Sequence, residues 1–141
     1  MRNSKIYECQ LIDIQTEIEN NVTTYYPLSK DYKFSSVKRV YFLYNSSLEK
    51  IRGEHAHKDL NQIIIAGKGS FEITINDGEN FKTYLLDNPN KGLRIIPGIW
   101  RSLKNFSEDS VCIVFASELY EPDDYIHNFD EFLIYKQVTS I

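Results

Sequence analysis

The feature that most constrains the fold is a succession of short segments rich in β-branched and aromatic residues, separated by turn-forming residues. Segments of this length and spacing are typical of the strands of an all-β sandwich or barrel. The clearest example is an alternating strand that runs into Asn76, Asp77 and Gly78, because glycine readily supplies the positive φ of a hairpin turn. Strands are predicted over residues 7–13, 37–44, 62–66, 71–75, 81–86, 93–96, 99–103 and 111–117.

The end of the chain has a different pattern. Residues 111–116 are continuously apolar, which predicts a strand covered on both faces. After a helix start at residues 122–124, Tyr125, Phe129, Phe132 and Leu133 share one helical face. Residues 20–24 indicate an ordinary turn into a strand. The sequence therefore predicts an all-β fold with one short C-terminal helix packed on it.

Size and composition exclude several classes of protein. A length of 141 residues predicts a single domain over residues 1–141. The chain has 16 Lys and Arg against 20 Asp and Glu, and its net charge of −4 argues against nucleic acid as the main partner. Cys9 and Cys112 lie far apart and form no CxxC pair, so the cysteines predict neither a disulfide framework nor a zinc ribbon. The sequence shows no apolar signal segment and no membrane-length apolar run, so we expect a cytoplasmic protein with no membrane partner.

The titratable residues most useful for catalysis are concentrated in residues 52–58 (RGEHAHK). On a strand, positions i and i+2 point the same way, so His55 and His57 would face one space and Ala56 the opposite side. Two imidazoles on one face suggest a site. A pair of ordinary core or surface histidines would give the same pattern.

The surrounding residues resemble the two sequence motifs of cupins, which are small β-barrels that often hold a metal ion. Gly53, the histidine pair, Gln62 and Gly69 resemble the first motif, and residues 92–101 with Asn105 resemble the second. The usual metal ligands at two of these positions are replaced by Gln62 and Arg101, and a fixed cation would repel a metal ion. We therefore expect no metal, although two imidazoles would recruit one if another carboxylate reached the site. A metal-free pocket with paired His and an Arg suits proton transfer, with Arg stabilising an oxyanion.

Block motifs spread over residues 34–136 closely resemble the cupin-type dTDP-4-keto-6-deoxyglucose 3,4-ketoisomerases. The blocks lie in the same order and at fitting distances, which makes them far more specific than a His-x-His pair alone. The blocks are residues 37–42 (VKRVYF), 52–58 (RGEHAHK), 92–93 (GL), 97–100 (PGIW), 116–120 (ASELY) and 124–126 (DYI).

The resemblance implies a cytoplasmic, homodimeric jelly-roll enzyme without a cofactor. It would move the ketone of a dTDP-linked 4-keto-6-deoxyhexose from C4 to C3 through an enediol. Its product would enter deoxysugar biosynthesis for lipopolysaccharide or S-layer glycans. Carried over by position, His55 is the main acid/base, and His57 and Tyr41 hydrogen-bond the sugar oxygens. Arg101, Arg52 and Gln62 are expected at the sugar site, and the gluco product is favoured over the galacto product.

Three alternatives remain open from the sequence. They are a dTDP-sugar epimerase, a nucleotide-sugar-binding cupin without catalysis, and a metal-dependent dioxygenase. Other residues have plainer interpretations: Trp100, Tyr120 and Tyr125 are expected to pack, and His127 to lie on the surface of the helix. Cys112 should be an inert core residue. Lys38 and Arg39 are equally compatible with contacting a nucleotide diphosphate or with solvent exposure.

Overall fold

The structure is a computed structural model that describes residues 2–28, 36–44 and 51–137. The described chain is mostly strand, with 3-10 turns at Ile6–Glu8 and Pro122–Asp124 and one helix, α1, at Phe129–Gln137. The strands are β1 Gln10–Asp13, β2 Gln15–Glu19, β3 Val22–Tyr26, β4 Arg39–Tyr44, β5 Arg52–His57, β6 Gln62–Lys68, β7 Phe71–Asn76, β8 Phe81–Leu86, β9 Lys91–Ile95, β10 Trp100–Lys104, β11 Val111–Ala116 and β12 Tyr125–Ile126.

Two five-stranded sheets form the body of the fold. The first has the order β1-β9-β6-β11-β4 and the second the order β12-β5-β10-β7-β8. All neighbouring strands pair antiparallel. The two sheets do not join into one closed barrel. The predicted all-β class with a short C-terminal helix is confirmed.

One hydrophobic core lies between the two sheets. The first sheet contributes residues such as Ile64, Leu93 and Val114, and the second contributes Phe71 and Ile73. Along β7 and β11 the buried residues alternate with more exposed neighbours, which is the period-two pattern of a strand with one face on a core, whereas Ile64 of β6 has buried neighbours on both sides. The core therefore holds the two sheets together and fixes which side chains point between them.

Several predicted elements are confirmed with shifted boundaries. The hairpin at Gly78 is present, with φ of 97° at that glycine and β7 paired with β8. The strand expected over residues 7–13 begins only at Gln10, because the preceding residues form a 3-10 turn. The expectation that β11 is covered on both faces is wrong: its alternate residues, beginning with Val111, are only half-buried on the outer side.

The C-terminal prediction needs a larger correction. Tyr125 does not belong to the helix, which begins at Phe129. Instead Tyr125 lies in the two-residue strand β12, where it pairs with His57 of β5. Phe132 is buried and packs with Trp100, so the predicted contact between the helix and the β-structure is confirmed.

Strands β2 and β3 form a separate hairpin rather than joining either sheet. Asn20 and Asn21 both have positive φ, 51° and 64°, as a two-residue hairpin turn requires. The sequence predicted this turn but not the strand before it. Every residue of both strands is exposed.

In the described parts of the chain, no helix has the length and apolar character needed to cross a membrane.

Candidate active site

The two histidines and Arg101 lie on neighbouring strands of the second sheet. His55 and His57 alternate along β5, and Arg101 of β10 pairs directly with His55. Cross-strand partners lie on the same face of a sheet, so all three side chains point toward the first sheet. Gln62 of β6 and Tyr41 of β4 come from that facing sheet. The candidate site therefore lies between the two sheets.

A β-bulge at Gly53 sets the position of the histidines. The pairing of β10 with β5 changes register between Arg101, opposite His55, and Leu103, opposite Arg52. Gly53 has φ of 65°, and an added Cβ would lie 3.0 Å from Leu103 Cδ1. A side chain is disfavoured there by both backbone and space. Gly53, which the first cupin motif contains, is therefore favoured at this position by both the positive φ and the close approach of Leu103.

His55 and His57 contact each other directly. Their Nε2 atoms lie 3.0 Å apart, and the rings are perpendicular with centroids 4.7 Å apart. Burial, reinforced by the positive charge of Arg101, lowers the pKa of His55 to about 3. The same two causes lower the pKa of His57, which is completely buried. Both imidazoles are therefore neutral at physiological pH.

Asp124 contacts the ring nitrogen of His57 that does not contact His55. Its Oδ2 lies 2.8 Å from His57 Nδ1, and its Oδ1 accepts a hydrogen bond from the backbone N–H of Asp59 at 2.6 Å. Burial raises the pKa of Asp124, whereas the backbone N–H groups of residues 58–60 lower it. With both ring nitrogens engaged, His57 contacts protein groups on each side.

A hydrogen-bonded chain crosses the site from one sheet to the other. Arg101 donates from Nη1 to Gln62 Oε1 and from Nη2 to the carbonyl oxygen of Ile99. Gln62 then donates from Nε2 to the hydroxyl oxygen of Tyr41 at 3.1 Å. Burial raises the pKa of Tyr41, so its hydroxyl keeps its proton and can donate it.

Among the described residues, Arg101 forms no ion pair with a carboxylate, and its two hydrogen-bond partners are neutral. The side chain is only 1% exposed, and burial lowers its pKa to about 10, so it remains a cation. A buried cation without an ion-pair partner is costly. Such a group favours a ligand that brings negative charge into the space between the sheets.

The structure adds residues that sequence reasoning missed. Tyr125, assigned to packing, lies with its ring centroid 4.4 Å from that of His57 and 5.1 Å from that of His55. Its hydroxyl accepts a hydrogen bond from Arg39 at 3.2 Å, and its other face stacks on His127. The block DYI at residues 124–126 was part of the family resemblance and could have pointed to Tyr125. The strand itself could not, because two residues are too few to show a strand period.

The remaining basic residues lie at different depths. Arg39 is half-buried and points inward beside Tyr41. Lys38 points outward and forms an ion pair with Glu118 at 3.2 Å. Arg52 is exposed and lies beyond the bulge, opposite Leu103. The structure thus brings together all the predicted site residues except Arg52.

The donor set does not fit a metal ion. In residues 2–28, 36–44 and 51–137, no three His, Cys, Asp or Glu side chains are grouped so that they could hold one. His55 and His57 direct ring nitrogens at each other, and the Arg101 cation projects from the strand position opposite His55. A divalent ion prefers carboxylate or further imidazole ligands at such a site.

Two antiparallel sheets that enclose a histidine pair, an arginine and a tyrosine define a protein of the cupin class. The chain belongs to the FdtA family, described as WxcM-like, C-terminal, whose family model matches residues 3–137.

Similar proteins have been named or solved. A curated relative, the TDP-4-oxo-6-deoxy-alpha-D-glucose-3,4-oxoisomerase of Aneurinibacillus thermoaerophilus, is 39% identical over 100 residues, which are 71% of this chain and 72% of the relative. The solved structure of the WlaRB TDP-quinovose 3,4-ketoisomerase from Campylobacter jejuni is 37% identical with a TM-score of 0.83, covering 89% of this chain and 97% of that one.

A third similar protein was solved with a sugar nucleotide. It is a mutant of the 3,4-ketoisomerase QdtA from Thermoanaerobacterium thermosaccharolyticum in complex with TDP-4-keto-6-deoxyglucose. The chains are 31% identical with a TM-score of 0.88, covering 95% of this chain and 97% of that one. These relatives are named as isomerases, and the match to the two solved structures covers nearly the whole of each of those chains.

Proposed function

We propose that this protein is a 3,4-ketoisomerase that acts on TDP-4-keto-6-deoxyglucose. The observation that carries the proposal is the neutral His55, which is backed by His57 and lies directly across from the buried Arg101. Proton abstraction beside a carbonyl needs a base in its neutral form and a cation near the developing oxyanion. The substrates named for the relatives supply such a carbonyl.

The reaction begins at C3 of the sugar, whose hydrogen is acidified by the C4 carbonyl. His55 takes the C3 proton, the C–H electron pair forms the C3=C4 double bond, and the carbonyl electrons move to O4. The hydroxyl proton then passes from O3 to O4. Arg101 stabilises the negative charge on oxygen, and the Tyr41 hydroxyl donates a hydrogen bond to it.

The second half of the reaction returns a proton to C4. His55 releases its proton to that carbon, the double-bond electrons form the new C–H bond, and the ketone remains at C3. No net proton or electron is gained or lost, so the reaction needs no redox cofactor. A single imidazole that reaches both carbons serves both steps.

The configuration at C4 depends on the face that is reprotonated. We propose the gluco product. The likeness to a TDP-quinovose ketoisomerase supports this choice, since quinovose is 6-deoxyglucose. The galacto product is the alternative outcome of the same assay.

We further propose that the protein acts as a homodimer. A two-stranded hairpin alone is at best marginally stable in water, and every residue of β2 and β3 is exposed in the single chain. A second copy covering this hairpin would stabilise it. Light scattering on the purified protein tests this: a dimer mass supports the assembly and a monomer mass contradicts it.

The family resemblance also supports a place in the cytoplasm and in deoxysugar biosynthesis. The 3-keto sugar has the functional group that an aminotransferase converts to a 3-amino-3,6-dideoxyhexose for surface polysaccharides, such as lipopolysaccharide or S-layer glycan. The net charge of −4 argues against nucleic acid as the main partner.

The function is tested by proton NMR of TDP-4-keto-6-deoxyglucose incubated with EDTA-treated protein in D₂O. A new 3-keto sugar identifies the ketoisomerase, and the couplings of its C4 proton, recorded in H₂O, give the configuration. A 4-keto product with an inverted neighbouring carbon would indicate an epimerase. An unchanged spectrum with measurable binding would indicate a non-catalytic cupin, and turnover only with added metal and oxygen a dioxygenase.

A further inference from the structure

Asp124 is the one carboxylate in the described residues that touches the histidine pair. Its two oxygens have different partners, because Oδ1 accepts the Asp59 backbone N–H and Oδ2 faces His57 Nδ1. A carboxylate can only accept hydrogen bonds. The facing nitrogen of His57 must therefore carry a hydrogen.

The same reasoning passes to the next ring. A neutral His57 with its hydrogen on Nδ1 has a bare lone pair on Nε2. His55 Nε2 lies 3.0 Å from that lone pair, so His55 must carry its own hydrogen on Nε2. The Nδ1 atom of His55 is then left unprotonated.

From this chain of contacts, and on the basis of the proposed ketoisomerase function, we propose that Asp124 is a positioning residue. Through His57 it fixes the tautomer of His55 and makes Nδ1 of His55 the atom that removes the C3 proton. The direct contact of His57 with sugar oxygens, expected from the family resemblance, is replaced in this proposal by a supporting role behind His55, since both ring nitrogens of His57 already have protein partners.

The arrangement also stabilises the intermediate. When His55 Nδ1 accepts the proton, the ring becomes an imidazolium whose Nε2–H still points at His57. His57 in turn donates to Asp124, so the negative carboxylate opposes the new positive charge through one neutral ring. This partly offsets the cost of forming a cation beside Arg101.

The substitution Asp124→Asn should reverse the tautomers of both His57 and His55. The amide oxygen of Asn has to remain on the Asp59 N–H, because an NH₂ group there would place two donors together. The NH₂ group then faces His57 Nδ1, which becomes the acceptor. His57 takes its hydrogen on Nε2, and His55 is forced to carry its hydrogen on Nδ1, where it blocks the base.

The test is ¹⁵N NMR of the histidine rings of the whole protein, recorded without substrate. The chain has three histidines, so His55→Asn and His57→Asn spectra assign them. We expect protonated Nδ1 and bare Nε2 for His57 and the reverse for His55, with both patterns inverted in Asp124→Asn. Turnover of that variant should fall about 10²–10⁴-fold in kcat, with KM changed only a few-fold.

Asp123→Asn is the matched control, because Asp123 is the exposed neighbour on the same turn. It should keep the wild-type tautomers and a kcat within about twofold of wild type. Wild-type His55 protonated on Nδ1, or an Asp124→Asn variant with unchanged tautomers and kcat, would overturn the proposal. The wild-type spectrum decides even where a variant fails to fold. Absence of turnover in the wild type would instead refute the proposed function, while the spectra still decide the tautomers.

Discussion

Arg101 and His55 lie directly opposite each other on β10 and β5, and the guanidinium is buried beneath the space that the imidazole faces. This pairing places a fixed positive charge next to the proposed base. Burial, reinforced by this charge, keeps the free imidazole neutral, and in the proposed reaction the charge stabilises the enediolate oxygen. The same pairing therefore affects both the proton affinity of His55 and the proposed catalysis.

The activity of the free enzyme should be insensitive to pH in the range where an ordinary histidine titrates. Because the pKa of His55 is lowered to about 3, kcat/KM should stay constant from about pH 5 to pH 7. In Arg101→Gln the loss of the neighbouring charge should raise this pKa, while burial, the larger cause, still keeps it below the ordinary value, so the acid limb should begin at a higher pH than in the wild type. A wild-type profile in which kcat/KM falls just on the acid side of about pH 6.5 would contradict the account.

The free energy of unfolding should decrease at acid pH because of His55 and His57. Their pKa values are lowered in the folded protein, so below about pH 6.5 the unfolded chain binds more protons and the free energy of unfolding decreases as pH falls. Each buried histidine contributes a slope of at most about 1.4 kcal/mol per pH unit. Urea unfolding at several pH values measures the slope, and His57→Gln should reduce it. A wild-type slope equal to the slope of His57→Gln would contradict this prediction.

The bulge glycine should be needed for both stability and turnover. Gly53→Ala forces a side chain into φ of 65° and into contact with Leu103, which should cost about 1–2 kcal/mol and move the strand that carries His55. Gly78→Ala, with φ of 97° at the β7–β8 turn, is the matched control. Thermal unfolding should show both losses, whereas kcat should fall only in Gly53→Ala. Equal kcat values in the two variants would show that the bulge does not position the site.

Removal of metal should leave turnover unchanged. The two imidazoles hydrogen-bond each other, and Arg101 projects from the strand position opposite His55, so the described residues of the site offer no suitable ligand set. Protein dialysed against EDTA, with its metal content checked by elemental analysis, should keep its full kcat. Loss of activity that a divalent ion restores would contradict this prediction.

The sequence predicted the parts of the molecule whose pattern is local. The strand period, the hairpin at Gly78 and the shared face of His55 and His57 all follow from near neighbours in the chain. The positions of Gln62 and Arg101 at the site followed from motif resemblance. The structure then showed how these residues connect through hydrogen bonds across the two sheets.

The missed residues depend on contacts between distant segments. Asp124 is the last residue of a 3-10 turn, and Tyr125 lies in a strand too short to have a period, so the sequence suggested a helix start instead. Their role depends on pairing with β5, which lies 67 positions away for the His57–Asp124 contact. Arg52, which the resemblance placed at the sugar site, is exposed and lies on the other side of the bulge at Gly53 from the histidines, and its role there stays a prediction.

The central claim is that His55 moves the proton. The most direct test compares wild type and His55→Asn in the NMR assay with TDP-4-keto-6-deoxyglucose, together with calorimetric binding of TDP. We expect the wild type to form the 3-keto sugar and His55→Asn to lose about 10²–10⁴-fold in kcat while binding TDP with unchanged affinity. A His55→Asn variant that still converts the sugar at a rate near wild type would contradict the account.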